Sequence, residues 1–431
     1  MSRIAIVGSG IAGMTAAWHL HRDHDLVMYE SNDYVGGHTA TKDVEWAGQR
    51  YAIDTGFIVF NDWTYPNFIA LLQATGTAWQ WSDMSFSLSC ERSGLEYNGT
   101  SIDSLFAQRR NALNPRFLRM IADILRFNQR CRALLQQPDT GLTLGEYLTR
   151  ERYSRAFVEQ YILPMGRAIW SATGSGMLDF PARFFVDFFE HHGFLNINDR
   201  PTWRTVTGGS REYARRLTAG FSDRIRLATP VGEIRRDAAG VTIIDRQGHS
   251  DRFDAVFIAC HSDQALRMLA EPSNAERDIL TAFPYQANTA VLHRDERVLP
   301  RTPRARAAWN YHLRDPDTEK VALTYDMNVL QSLDAPCKFL VTLNREDIDP
   351  DKIHGRYVYD HPVYTPAAVA AQARRSEISG QQHTYYCGAY WRYGFHEDGV
   401  VSALWALQDL ARASNTPAAA PVVLKDRAAR P

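Results

Sequence analysis

The chain opens on a strand, a glycine turn and a helix in unbroken succession, and nothing else in it restricts the fold as much. Ile4, Ala5, Ile6 and Val7 form a continuous apolar run, as a parallel strand buried on both faces requires. Gly8-Ser9-Gly10-Ile11-Ala12-Gly13 follows at once, and residues 14–21 read as a helix. Leu26 to Tyr29 makes a second apolar strand, ending in Glu30. Gly8 permits the tight turn. Gly10 lets the backbone approach a pyrophosphate at the helix N-terminus, where free N–H groups and the helix dipole favour an anion. Gly13 allows close helix–strand packing. Glu30 lies 20 residues after Gly10, the spacing of a carboxylate that accepts from ribose hydroxyls. Strand, turn, helix, strand and acid in register predict a dinucleotide-binding α/β domain.

The next segments separate FAD from NAD. Gly36-Gly37-His38 comes shortly after Glu30, and Asp54-Thr55-Gly56-Phe57 a little later. A glycine pair there lets the chain pass close to a ligand. These motifs resemble the flavin amine oxidase and phytoene desaturase superfamily, whose members carry an acid, a Gly-Gly-Arg and an Asp-x-Gly. His38 stands where most relatives have Arg. Thr207-Gly208-Gly209-Ser210 with Tyr213, Ala214 and Leu217 resembles the turn and helix that re-enter the FAD domain. Ile225 to Ala228 then reads as a strand that Pro230 to Ile234 continues, with Val231 at the position whose backbone meets the adenine in relatives. Asp254 to His261, with Cys260, is similar to the family's strand beneath the cofactor. Near the C-terminus Thr384 to Tyr390 reads as the last strand of that sheet, and Gly394-Phe395-His396-Glu397-Asp398-Gly399 opens a helix from Val400. Ala389, after Gly388, stands where many relatives hold a ribityl hydroxyl with Asp.

The resemblance implies noncovalent FAD and a glutathione-reductase-type, Rossmann-like FAD-binding domain of the α/β class, with an inserted mixed α+β substrate domain. It implies cofactor contacts from Gly8, Gly10, Ile11, Ala12, Gly13, Glu30, Ser31, Gly36, Gly37, His38, Thr55, Gly56 and Phe57. Further contacts would come from Val231, Cys260, Gly388, Ala389, His396, Glu397, Asp398 and Gly399. Residues 1–75, 205–265 and 380–412 would form the FAD domain. Residues 76–204, read as mostly helical, and 266–379, read as β-rich, would form the substrate domain. Residues 413–431, rich in Ala and Pro, read as a flexible tail.

The substrate segments carry several candidates. Residues 114–135 predict a basic amphipathic helix, either a cap on the core or a surface for anionic lipid. Phe184, Phe185, Phe188 and Phe189 have helical spacing and suit either a core or an apolar tunnel wall. Residues 289–292, 307–311, 321–326 and 339–343 read as strands, and 357–364 as a loop or edge strand. The stretch 160–205 resembles bacterial NAD/FAD-binding oxidoreductases that accompany cyclopropane-fatty-acid-synthase-like methyltransferases. That implies a lipid substrate, with a methyltransferase or redox protein as a partner. Trp391, Tyr393, Tyr325 and His191 are the candidates for the catalytic face. An amine oxidase of this family would place a Lys near the flavin. Only Lys320 and Lys338 fall in plausible strands, and neither sits in a family motif.

Composition narrows the rest. Lys plus Arg is 48 against 49 Asp plus Glu, a net charge of −1, which gives no electrostatic reason to expect nucleic acid. Five cysteines at wide spacing, with no C-x-x-C, suit a reducing compartment. The opening residues lack the pattern of a signal peptide, and no stretch of about 18 apolar residues occurs. The expectation is a cytoplasmic protein, with room for peripheral contact at the inner face of a membrane. His191 and His192 point apart on a helix, and no metal site is expected. The leading reading is a FAD-dependent enzyme that desaturates a lipid; an amine oxidase and a non-catalytic flavoprotein are the alternatives.

Overall fold

The computed structural model describes residues 1–315 and 320–413. Its first sheet is built around Arg3–Val7 and Asp25–Tyr29, which lie parallel with Ile4 opposite Leu26 and Val7 opposite Tyr29. Across the sheet the order is Ile225–Arg226, Asp25–Tyr29, Arg3–Val7, Ala255–Ile258 and Thr384–Tyr386, all parallel. The apolar run of the first strand serves two layers. Ile4 and Ile6 pack with Leu26, Met28 and Phe257 against the helices Ile11–Leu20 and His396–Ala413. Ala5 and Val7 pack with Val256 and Ile258 on the opposite face. A three-stranded antiparallel sheet, Val231–Asp237, Gly240–Asp245 and Ser250–Phe253, contributes Ile234, Val241 and Phe253 to that face. Side chains alternate at a period of two, so a strand covered on both faces has no polar position.

A second, seven-stranded sheet runs Ile353–Pro362, Tyr285–His293, Leu340–Leu343, Leu323–Asp326, Trp309–Leu313, Phe86–Cys90 and Leu95–Asn98. All its pairs are antiparallel except Trp309–Leu313 with Phe86–Cys90. Helices Pro115–Arg130 and Ala182–His191 complete the core around it.

The expected strands of the β-rich part are present, and residues 353–362 form an edge strand. Two expectations change. The segment 76–204 is not helical from its start: Trp79–Trp81, Phe86–Cys90 and Leu95–Asn98 are strands. Residues 225–234 are not one strand. Ala228 turns back at φ 48°, its N–H donates to the Asn32 carbonyl at 2.7 Å, and Thr229 N–H donates to the Glu30 carbonyl at 2.8 Å. The chain thus leaves the parallel sheet after Arg226 and enters the antiparallel one at Val231. The basic helix starts at Pro115, capped by Asn114, whose side-chain Oδ1 accepts from the N–H groups of Arg116 and Phe117, and stops at Arg130. Phe117, Met120 and Phe127 are buried on its inner side, whereas Leu118 and Leu125 are exposed. The tail expected over residues 413–431 lies outside the described residues from 414 onward. Among the described residues no helix is long and apolar enough to cross a membrane, and no cluster could hold a metal ion.

Candidate active site

The three glycines of the first turn have distinct surroundings. A Cβ on Gly8, at φ 102°, would lie 2.9 Å from the Ala259 carbonyl oxygen, and one on Gly13 1.9 Å from that of Gly8. Those two are packing glycines. Gly10 has nothing within 4 Å of such a Cβ, and it caps the helix Ile11–Leu20 with no side chain on its N–H groups. Gly37, at φ 58°, brings the chain back so that its Cβ would be 3.4 Å from Gly10 Cα. Gly36 N–H donates to Ser9 Oγ at 3.1 Å. The uncapped start of a ten-residue helix therefore faces open space between two glycine turns, a cradle that fits a diphosphate. Ile11 and Ala12 form the first helical turn of that cradle and are buried.

Glu30 is less free than its spacing suggests. Its Oε2 accepts from Ser9 N–H at 2.9 Å and Ser9 Oγ at 2.6 Å, and its Oε1 from Asn32 N–H and Nδ2, both at 2.8 Å. A carboxylate offers about four acceptor positions, so ribose hydroxyls would share these oxygens with Ser9 and Asn32, which the sequence motif did not single out. Ser31 is exposed, with its Oγ 3.3 Å from Glu30 Oε1. Val231 opens the antiparallel sheet opposite Asp245. Cys260 lies beneath the first turn, its N 3.3 Å from where a Gly8 Cβ would be, and burial pushes its thiol well up.

His38, Thr55, Gly56 and Phe57 interlock. The His38 carbonyl accepts from Phe57 N–H at 2.8 Å and would touch any Cβ on Gly56. Thr55 Oγ1 is 2.7 Å from Tyr359 Oη. Phe57 stacks on His396, with ring centroids 3.5 Å apart. His396 Nε2 meets Tyr213 Oη at 2.9 Å and Thr39 Oγ1 at 3.1 Å, and burial pushes this imidazole down to about 3. Glu397 and Asp398 direct their carboxylates to the protein. Glu397 accepts from Asn67 N–H (3.1 Å), Asn67 Nδ2 (2.6 Å) and Phe68 N–H (2.8 Å), and so caps the helix Pro66–Ala74. Asp398 accepts from Phe395 N–H at 2.9 Å. Gly399 lets its helix close on the first one, since a Cβ there would be 2.7 Å from Ile11 Cγ2. Gly388 N–H donates to Ser402 Oγ at 2.8 Å, and Ala389 begins the short turn Ala389–Trp391.

The four catalytic candidates fall at three places. Tyr393 and His191 meet at Asp187: Tyr393 Oη donates to one carboxylate oxygen, and His191 Nδ1 lies 3.2 Å from the other. Burial works to raise the Asp187 carboxyl, but the bonds from His191 and Tyr393 outweigh it and hold the group below its ordinary value. Both residues line a cleft with Trp63, Tyr65, Arg392 and Phe395. Trp391 does not join them, which corrects the expectation that it shares a face with Tyr393. The turn at Ala389–Trp391 sends its side chain inward, where it is 2% exposed and packs on Phe283 and Tyr390. Tyr325 stands on the seven-stranded sheet, edge-on to Trp309 at 5.0 Å. The two lysines are engaged: Lys320 Nζ donates to the Ala287 carbonyl at 3.0 Å, and Lys338 Nζ to Asp326 Oδ2 at 2.7 Å.

Two histidines join the site from elsewhere. His261 and His361 lie beside His38, with ring centroids 6.0 and 5.4 Å from it. His261 follows the carboxyl end of a parallel strand, the position where ligands bind in such sheets, so it carried a readable signal. His361 sits on a distant edge strand and carried none.

A glycine cradle at a helix N-terminus, an acid at the end of the second strand and a second glycine turn folded over the first define a dinucleotide-binding protein. A family model described as flavin containing amine oxidoreductase matches residues 11–334, and the chain belongs to that family. It is an FAD-dependent oxidoreductase. No curated protein matches it by sequence. Solved structures similar to it include a cyclohexylamine oxidase from Brevibacterium oxydans IH-35A, at TM-score 0.70 and 15% identity over 96% of this chain and 99% of that one. A CLA-producing fatty acid isomerase from P. acnes is similar at TM-score 0.66 and 17% identity, covering 95% and 98%. A reduced UDP-galactopyranose mutase is similar at TM-score 0.67 and 15% identity, covering 98% of each. At these identities the likeness is one of fold.

Proposed function

We propose that this flavoenzyme dehydrogenates a lipid, with a fatty-acyl chain as the substrate class. The observation that carries this reading is the aromatic wall where helix Ala182–His191 meets the segment before the C-terminal helix. Phe188 stacks on Phe395 at 5.2 Å and on His192 at 3.8 Å, and Phe184 lies 4.8 Å from Tyr393 and 5.2 Å from Tyr364. Such a wall backs the cleft that Trp63, Tyr65, Tyr393 and Phe395 line, and the rings of that lining would align an alkyl chain by contact alone. The bound flavin supplies the hydride acceptor. Tyr393, tied to Asp187, keeps its proton on the phenolic oxygen, since burial and the neighbouring carboxylate both push it well up. The engagement of Lys320 and Lys338 counts against an amine substrate.

The finer architecture belongs to the same proposal. All five parallel strands fall within 1–75, 205–265 and 380–412, and all seven strands of the other sheet within 76–204 and 266–379. This supports a glutathione-reductase-type cofactor domain with an inserted substrate domain. The test is anaerobic titration of the FAD-loaded enzyme. Bleaching of the visible flavin band by a fatty-acyl substrate, and not by cyclohexylamine or putrescine, is the expected result. Bleaching by the amines alone overturns the lipid reading and leaves an amine oxidase.

A further inference from the structure

We propose that His38, His261 and His361 form a proton-linked seat for the diphosphate of FAD, taking up a proton as the cofactor binds. The three imidazoles come from three separate elements. His38 follows the Gly36-Gly37 turn, His261 follows the strand Ala255–Ile258, and His361 lies on Ile353–Pro362. Two of them directly follow residues that touch the cradle. Gly37, next to His38, abuts Gly10, and Cys260, next to His261, abuts Gly8. The chain on either side of the cradle thus leads directly into His38 and His261, and their rings lie 6.0 Å apart.

The groups around the cluster are mostly neutral. His38 faces His361 and His261, the ring of Tyr359 at 5.3 Å, His396 on the C-terminal helix, and the Asp360 backbone. His261 stacks on Tyr285 at 4.4 Å and faces Asp263, Asp360 and Arg267. His361 Nδ1 accepts from Asn288 Nδ2 at 3.0 Å, which places its own proton on Nε2, and it faces His261. Of these neighbours only Arg267 carries a fixed positive charge; it faces His261, where the carboxylates of Asp263 and Asp360 oppose it.

Burial first, and then mutual repulsion, keeps His38 far below the ordinary histidine value; burial lowers His261 and pushes His361 down to about 4. The free cluster is thus uncharged at neutral pH. A diphosphate brought against it reverses the preference, because an anion within a few ångströms stabilises imidazolium. A group whose affinity for protons rises on binding takes one up, so the cofactor binds most tightly on the acid side. Its affinity then falls as pH rises through the value in the complex. A fixed cation at position 38 would give no such dependence. The proposal rests on FAD binding alone and not on the lipid reading.

Isothermal calorimetry of FAD into apoprotein, in paired buffers of different protonation enthalpy, counts the protons. Uptake approaching one proton near pH 6.5, and binding at least about tenfold tighter at pH 6 than at pH 8, is the expected result. His38→Asn removes both effects while thermal unfolding of the apoprotein stays close to that of the parent; should it not fold, His361→Asn is read in its place. This control matters because Asp54 and Glu397 also titrate near neutrality, at about 6 and about 7, through burial. Riboflavin, which lacks the diphosphate, binds without uptake. Equal affinity at both pH values with no proton taken up overturns the proposal. So does uptake that survives in the variant, or equal uptake with riboflavin.

Discussion

Gly10 and Gly13 are identical residues with opposite duties, and alanine at each separates them. At Gly13 the new Cβ would collide with the Gly8 carbonyl, so Gly13→Ala destabilises the apoprotein by about 1–3 kcal/mol or more. At Gly10 the Cβ enters open space at φ −65°, a conformation alanine accepts. Gly10→Ala leaves stability within about 1 kcal/mol but weakens FAD at least tenfold, as a fluorescence titration reads. Glu397 gives a pH-dependent case. Its carboxyl is raised to about 7, chiefly by burial, so its contribution is fullest below the unfolded value and is lost as pH rises towards 7. The penalty of Glu397→Gln in urea unfolding therefore shrinks by about 1–3 kcal/mol between pH 5 and pH 7.5. The site was legible at this scale where one residue does one job, as at Gly10, which leaves the helix start open. It was not legible where a side chain is claimed by a remote partner. Nothing near Glu397 in the chain announces Asn67 and Phe68, and nothing near Trp391 announces Phe283.

The helix Ala182–His191 turns one aromatic face to the core and leaves Phe184 between Tyr364 and Tyr393. Phe188→Ala removes a side chain packed on Phe395, His192 and Trp170 and costs about 3–5 kcal/mol in thermal or denaturant unfolding. Phe184 is only partly buried, so Phe184→Ala costs less stability and instead raises KM for the fatty-acyl substrate. Helix spacing of the phenylalanines was readable from the chain, as were the strands that end the parallel sheet. The strand Phe86–Cys90 was not. It pairs in parallel with Trp309–Leu313, more than two hundred residues away, and its alternation of Phe, Leu and Cys with serines is too short to declare a strand without that neighbour.

For the whole molecule, FAD binds the folded chain alone and stabilises it by mass action. Free FAD at 100 times its Kd adds about 2.7 kcal/mol, and the melting temperature rises with FAD concentration. A chain ended at residue 380 keeps every glycine of the cradle but lacks Thr384–Tyr386 and the helix that packs through Gly399 on Ile11. It fails to retain FAD on gel filtration. The same wide separation sets a schedule on the ribosome. The two strands made first must hold an open edge until Ala255–Ile258 and then Thr384–Tyr386 emerge to cover it. At about 5–20 residues per second that wait lasts roughly 20–70 s. The nascent protein therefore spends most of its synthesis with an apolar, hydrogen-bond-ready edge exposed, so its yield in a cell depends on chaperone supply and on the rate of translation more than on the stability of the finished fold.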